Sequence, residues 1–222
     1  SGPEYSDSHL HGAAGAYARA VCGDGNYIYV AYDSVVVSYA NESSILVPKD
    51  SDDPDPTGSS RYMGVWSDGN FVFVSSIFSD TTDVHSYSVG VSGGLHHIDS
   101  GSQGGNAWDI WGDGDYIYVA DQSVGLVTYS VDASGYLTHV DTYGASNATG
   151  VYGNGNYIYL ANGSDGLDLL YNDGSGELRF LTSAAPTGGA VDTWGFVDAM
   201  LHNHHIFVAS GSGGVHVYQV LD

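Results

Sequence analysis

From residue 107 to residue 143 apolar and polar positions alternate with a period of two, broken at short intervals by glycine and aspartate. The runs "AWDIW", "YIYVA", "LVTYSV" and "YLTHVDTY" are separated by "GDGD", "DQSVG" and "DASG". A period of two is that of a half-buried strand, whereas a helical stripe returns every three to four residues. The breaks supply their own turn chemistry. Glycine takes the positive φ of a tight hairpin, and aspartate or asparagine bonds its own backbone nearby. The stretch predicts a four-stranded antiparallel meander of about 42 residues, the size of a propeller blade, with no helix.

The same unit recurs along the chain. The aromatic that opens its strongest strand is Tyr27 in "GDGNYIYVA", Phe71 in "SDGNFVFVS", Tyr116 in "GDGDYIYVA" and Tyr157 in "GNGNYIYLA", with a worn fifth copy, "HNHHIFVAS", anchored at His205. A second marker is one tyrosine in the next strand of each unit, at Tyr39, Tyr87, Tyr129, Tyr171 and Tyr218. Met alone, "GDGD" resembles a cation loop. Its siblings trade aspartate for asparagine while keeping the turn, so the motif is selected for backbone shape and not for charge.

Five such units predict an all-β, five-bladed β-propeller of four-stranded antiparallel blades, one domain over residues 1–222. The blades are expected at 17–58, 59–104, 105–145, 146–188 and 189–222, the last completed by 4–12. The fifth unit ends after a third strand, "GVHVYQVLD". The segment "EYSDSHLHG" precedes the first inner strand by the distance of a fourth strand, so the N-terminal segment is expected to close the ring and remove an open edge.

Composition sharpens this picture. The chain carries 26 acidic residues against four basic ones, a formal charge of −22. All but three of the acids are aspartate, the turn former, and not glutamate, the helix former. So negative a molecule is a poor partner for nucleic acid or an anionic membrane. A solvated acidic exterior and a cation-binding surface are the readings that stay open. The single cysteine, Cys22, excludes an intramolecular disulfide framework. No apolar run approaches the roughly 20 residues of a membrane-spanning helix.

The unit "GDGDYIYVADQSVGLVTYSV" resembles the repeats of the bacterial and archaeal surface propellers called LVIVD proteins, in which a small-residue turn precedes "YVAD" and a later "GL". The segments "VDASGYLTHVDT" and "NDGSGELRFLTS" are similar to repeats of lactonase-type propellers. Both resemblances run through repeat-forming residues and imply a propeller fold. The blade number expected here departs from that of the lactonase-type enzymes.

In propellers of this kind ligands are expected where the fourth strand of one blade enters the first strand of the next, a face shared with the loops between strands two and three. Aligned inner strands give an axial row of Ala20, Gly64, Asp109, Gly150 and Asp198. Small residues suit a crowded axis, which makes the two aspartates unexpected. Asp109 and Asp198 form a candidate metal site for Ca²⁺, completed by carbonyls and water. The competing reading has them hold loop amides or a trapped water. Around this axis stand Arg19, Arg61, Asn106, Asn147, Asp192 and Trp194. Arg19, Arg61, Asn106, Asp192 and Trp194 are the candidate ligand-binding set. The two arginines, offset by two in the alignment, suit an anionic group or a sugar, or else neutralise Asp109, Asp192 or Asp198. Trp66 and Trp111 occupy equivalent positions with Tyr152 and read as core, while Trp194 falls in the irregular unit. In the loops between strands two and three, Asp33, Asp121 and Asn162 recur and read as turn residues.

Other polar clusters read as scaffold or surface. His202 and His204 share a strand face, as do His9 and His11, and either pair is a candidate for Zn²⁺ or Ni²⁺. His97 and His139 match in position and read as repeat residues. The stretch "PKDSDDPDPTGSS", residues 48–60, reads as an inserted, exposed acidic loop. No nucleophile elbow, phosphate-binding glycine loop or Cys–His cluster is present in the sequence.

The expected function is a non-catalytic binding or interaction module at the cell surface or outside the cell. Carbohydrate is the first ligand class and another protein the second; the chain is expected to be monomeric and to require no cofactor, with Ca²⁺ as the candidate ion. The competing class is a propeller hydrolase, a glycoside hydrolase or lactonase, with Asp109, Asp192 and Asp198 as its carboxylates, two of which must lie about 5–10 Å apart in an open pocket. A third reading is a structural repeat domain of a larger assembly.

Overall fold

The computed structural model describes residues 17–55, 60–77, 83–184, 199–202, 205–209 and 214–219. These form a succession of antiparallel sheets whose strands are neighbours in chain order. The first sheet holds β1 (Ala18–Gly23), β2 (Tyr27–Tyr32), β3 (Val36–Glu42) and β4 (Ile45–Asp52). The second holds β5 (Arg61–Ser67), β6 (Phe71–Ile77), β7 (Val84–Val89) and β8 (Leu95–Gly101). The third holds β9 (Ala107–Gly112), β10 (Tyr116–Asp121), β11 (Gly125–Val131) and β12 (Leu137–Gly144). The fourth holds β13 (Ala148–Asn154), β14 (Tyr157–Asn162), β15 (Leu167–Asn172) and β16 (Leu178–Ala184). A further sheet contains β17 (Ala199–His202), β18 (His205–Ala209) and β19 (Val215–Gln219). The first strands β1, β5, β9, β13 and β17 pack against one another in sequence, as the inner strands of propeller blades do. The segment 4–12, expected to close the ring, lies outside the described residues.

The turns form as their sequence demands. Asp24 Oδ1 accepts the amides of Asn26 and Tyr27 at 2.7 and 2.8 Å. Asp68 repeats this with Asn70 and Phe71, and Asp113 with Asp115 and Tyr116. The intervening Gly25, Gly69 and Gly114 take φ of 92°, 91° and 102°, a region that side chains with a Cβ avoid. The carboxylates are thus occupied by backbone, as the exchange of aspartate for asparagine implies.

Blades join through two recurring contacts. On the inner strands Trp66 lies over Gly112 of the next blade, and Trp111 over Gly153 of the blade after that. A Cβ on either glycine would come within 2.5 and 2.2 Å of the indole ring. Each indole also stacks on the aromatic opposite it, Trp66 on Phe73 and Trp111 on Tyr118. The core reading of these two tryptophans therefore holds. In the first blade the corresponding residue is Cys22, and the second blade correspondingly carries Ser67 where the later ones carry glycine. Burial pushes the Cys22 thiol up to about 12, with Asp24 adding to it, so it is not a reactive group at neutral pH.

On the outer strands an aspartate reaches across to the next blade. Asp50 Oδ2 accepts the Leu95 amide at 2.8 Å, Asp99 Oδ2 the Leu137 amide at 2.9 Å, and Asp141 Oδ2 the Leu178 amide at 2.7 Å. The residue opposite the aspartate in the ladder completes the grip: Ser38 donates to the Gly93 carbonyl and Ser86 to that of Gly135. The second and third outer hairpins are thus held by both amide and carbonyl, whereas opposite Asp141 stands Thr128, whose buried hydroxyl makes no such bond.

Two local expectations are corrected. Residues 48–52 are not part of an inserted loop but the end of β4, where Pro48 sits at a register shift on the outer strand and needs no ladder amide. In the fourth blade Leu170, not Tyr171, fills the slot held elsewhere by tyrosine: Leu170 pairs with Ile158, while Tyr171 faces the other way and meets Tyr157 edge-on.

The glycine–indole contact yields the first prediction. Gly153→Ser destabilises the fold by about 1–3 kcal/mol through overpacking. Placed on a Trp111→Cys background, which recreates the pairing of the first blade, the same change costs less than half as much, read by urea unfolding.

Candidate functional site

The mouth of the propeller is set by a bulge repeated in every complete inner strand. Between Ala18 and Ala20, Tyr62 and Gly64, Ala107 and Asp109, and Ala148 and Gly150, the ladder skips one residue. The skipped residues are Arg19, Met63, Trp108 and Thr149. Two positions before each stands a second row, Tyr17, Arg61, Asn106 and Asn147. A bulge leaves its extra residue out of the ladder and re-aims it. Of the skipped residues Arg19, Trp108 and Thr149 are partly exposed and Met63 is buried; with the row two positions earlier they stand at the end of the small-residue axis.

That axis is confirmed in register. Ala20, Gly64, Asp109 and Gly150 pair with Ala31, Ser75, Ala120 and Ala161. A Cβ on Gly64 would lie 3.1 Å from the Asp109 Cα. Asp109 Oδ1 accepts the Ile110 amide at 2.9 Å, and its Oδ2 accepts the Val151 amide of the next inner strand at 2.9 Å. Its carboxylate bridges two blades. Asp192, Trp194 and Asp198 lie outside the described residues, as do His9, His11 and His204.

Across the top, Arg19 and Trp108 each reach the loop between strands two and three of their own blade. Arg19 Nε donates to Asp33 Oδ1 at 2.6 Å, with the guanidinium 5.4 Å from the Tyr17 ring centroid. Trp108 Nε1 donates to Gln122 Oε1 at 3.3 Å. Ladder register makes Asp33 the counterpart of Gln122, whereas Asp121 and Asn162 share a separate position, one residue earlier. The expected recurrence of Asp33 with those two is corrected accordingly. Asp121 does serve its turn, accepting the amides of Ser123 and Val124 at 2.8 and 3.0 Å, and burial raises its pKa.

From Gln122 the contacts run into the next blade: its Nε2 donates to Asn147 Oδ1 at 3.1 Å. Asn106 lies beside this chain. Its carbonyl accepts the Gln122 amide at 2.9 Å, and its side-chain Nδ2 lies 3.5 Å from Ser123 Oγ. Arg61 is exposed at the mouth of the second blade. The loops that carry these residues are pinned from beneath. Asp83 Oδ2 accepts from Ser102 Oγ and from the amides of Gln103 and Gly104, and Asp55 Oδ2 accepts from both the amide and hydroxyl of Ser60.

Sequence reasoning overlooked Trp108 and Gln122. Strict alternation in "AWDIW" puts Trp108 on the same face as core residue Ile110, and only the bulge takes it out of that face. A second overlooked group lies between the first and second blades. His85 replaces the valine found at Val37 and Val127 in register, and it is buried, with 2% exposure. Its Nδ1 and the His97 Nε2 each lie 3.0 Å from Ser100 Oγ, and the Tyr62 ring meets it edge-on. His97 itself behaves as a repeat residue, since His139 makes the same contact with Thr142. In the fourth blade Asp168 takes the His85 position and is bound by Asn162 and Tyr143, with its pKa raised by burial. Among the described residues no group of three or more His, Cys, Asp or Glu is arranged to hold a metal ion, and no helix is long and apolar enough to cross a membrane.

Comparisons with known proteins agree with this architecture. Residues 104–134 match the family model of the LVIVD repeat. No curated protein matches the chain. A provisionally named 6-phosphogluconolactonase from Bacteroides uniformis superposes with a TM-score of 0.74 at 16% identity, covering 90% of this chain and 65% of that one. The periplasmic gluconolactonase of Pseudomonas aeruginosa gives 0.67 at 18% identity, over 90% and 66%. The computationally designed protein Ika8 gives 0.65 at 15%, over 91% and 58%. The chain therefore spans less than two thirds of the length of each of these structures, and at such identities the likeness is one of fold.

His85 carries the prediction of this section. Burial, with the nearby His97 charge adding to it and Asp55 opposing, lowers its pKa to about 4, below the 6.5 of an exposed imidazole. The unfolded chain therefore binds this proton first, and stability present above pH 6.5 is lost as the pH falls toward 4. His85→Val, restoring the residue of the neighbouring blades, flattens this loss by roughly 3 kcal/mol between pH 7 and 4. Chemical unfolding of the two proteins across that range measures the difference.

Proposed function

We propose that this propeller is a non-catalytic binding module that takes a carbohydrate on its top face, at the cell surface or outside the cell. The observation that carries the reading is the pair of rows at the mouth. Below them, axis, turns and blade contacts repeat from unit to unit; here the residues are Tyr17, Arg61, Asn106 and Asn147 in one row and Arg19, Trp108 and Thr149 in the other, with Met63 buried. A half-buried indole beside side-chain amides suits a sugar, which offers an apolar ring face and a rim of hydroxyls. The resemblance to LVIVD surface propellers supports the location. The lactonase names belong to the neighbouring structures, whose likeness to this chain is in fold. Asp109, the one described carboxylate of the hydrolase reading, has both oxygens engaged by backbone amides, which favours positioning over proton transfer.

The reading is tested by screening the protein against a glycan array, with and without Ca²⁺, and following hits by calorimetry. Trp108→Ala is expected to weaken the best hit at least tenfold, about 1.4 kcal/mol, while leaving the circular dichroism spectrum unchanged. An array without hits under either condition overturns the reading.

A further inference from the structure

We propose that the seam between the third and fourth blades is a subsite for an uncharged sugar, read through the directed chain Trp108–Gln122–Asn147; this rests on the carbohydrate reading above. The direction of the chain is fixed by its first member. An indole N–H can only donate, so the Gln122 oxygen must face Trp108. The Gln122 amide nitrogen must then face outward, where it donates to Asn147 Oδ1. That contact in turn fixes the Asn147 side chain with its oxygen toward Gln122 and its nitrogen away from it. One donor thus sets the orientation of two amides that are otherwise free to flip.

What the chain offers a ligand follows from that order. Each of its acceptor oxygens already takes one bond within the chain, and its far end carries the N–H groups of Asn147. Gly163 permits the close fit of this amide: a Cβ there would come 2.2 Å from Asn147 Nδ2, so only glycine lets the half-buried Asn147 side chain sit against the loop of its own blade. The Asn147 end therefore donates, and its complement is an oxygen acceptor such as a hydroxyl, a ring oxygen or an N-acetyl carbonyl.

Electrostatics excludes the charged acceptors. Uronic acids, sialic acids and sulfated sugars would meet a molecule of formal charge −22. The carboxylates of Asp109 and Asp121 belong to the same end of the third blade, and Asp83 of the second blade binds the third blade's inlet loop. The cations of the face, Arg19 and Arg61, stand on the first and second blades, and the Arg19 guanidinium is bonded to Asp33. No cation belongs to the Trp108–Gln122–Asn147 chain itself. The indole adds an apolar platform at the inner end.

Two isosteric variants test this on the intact protein. Asn147→Asp keeps an oxygen for Gln122 to donate to but removes the outward N–H groups. Gln122→Glu keeps the acceptor for Trp108 but cannot donate to Asn147. On an array that pairs neutral glycans with their uronic, sialylated and sulfated counterparts, neutral members are expected to bind at least tenfold more tightly. Each variant is expected to weaken the best neutral glycan at least fivefold by calorimetry, with the melting temperature unchanged within 3 °C. Trp108→Phe, which keeps a ring but loses the donor, is expected to weaken it twofold to fivefold. Equal or tighter binding of acidic glycans, or a change below twofold in both isosteric variants, overturns the proposal while leaving carbohydrate binding in place. Silence across the whole array overturns both.

Discussion

The structure depends on the way one blade grips the next. A propeller blade is a twisted antiparallel sheet with two apolar faces, and alone it leaves its outer hairpin held by nothing but its own turn. Here an outer aspartate in each of the first three blades accepts the amide that opens the outer strand of the following blade, through Asp50, Asp99 and Asp141. A charged acceptor on a backbone N–H is among the stronger hydrogen bonds, and opposite Asp50 and Asp99 a serine returns a donor to the same hairpin. At the inner end the grip is steric, an indole laid against a glycine. The two ends together fix both the distance and the rotation between blades, and the core clusters that span neighbouring blades follow from that placement.

This grip also explains much of the acidity. Asp24, Asp68 and Asp113 cap turns; Asp50, Asp99 and Asp141 join blades; Asp55 and Asp83 pin inlet loops; Asp109 bridges two inner strands. Each accepts a backbone amide. A carboxylate has two oxygens and about four acceptor sites, so one aspartate can serve two or three amides where a serine serves fewer. A fold built from short hairpins has many such amides. Its negative charge is therefore in large part a consequence of how its turns and seams are satisfied, and needs no bound cation to account for it.

Much of the fold was legible because its rules are local and repeated. Alternation gave the strands, glycine with aspartate gave the turns, and recurrence gave the blades. The interchange of aspartate and asparagine before the anchor aromatic correctly marked the turn as scaffold, and the shared position of Trp66 and Trp111 correctly marked them as core. What stayed hidden depends on register. Tyr171 lies one residue from the slot it was matched to, and Asp33 one residue from Asp121, because a loop or hairpin that differs by one residue moves every side chain after it to the other face. The reach of Asp50 into the next blade was hidden for a different reason: a non-local bond leaves no trace in the spacing of its own strand, and Asp50 was read with the acidic run around it.

The bulge at the mouth joins these threads. A strand that obeyed its alternation through Trp108 would bury that indole beside Ile110, and the top face would carry only what the loops supply. By leaving one residue out of the ladder in each inner strand, the fold frees a position from core packing while holding it on a rigid strand. In the second blade that position still holds a buried residue, Met63, but in the other three it carries the partly exposed Arg19, Trp108 and Thr149, so packing does not dictate its identity there as it dictates the axial row directly below. A position that is rigid, raised to the mouth and released from the repeat is where recognition can change without disturbing the blades. In the third blade it holds the residue whose single donor orients two amides across a seam. The same backbone irregularity that hides this group from a reading of the sequence is what makes it able to serve as a site.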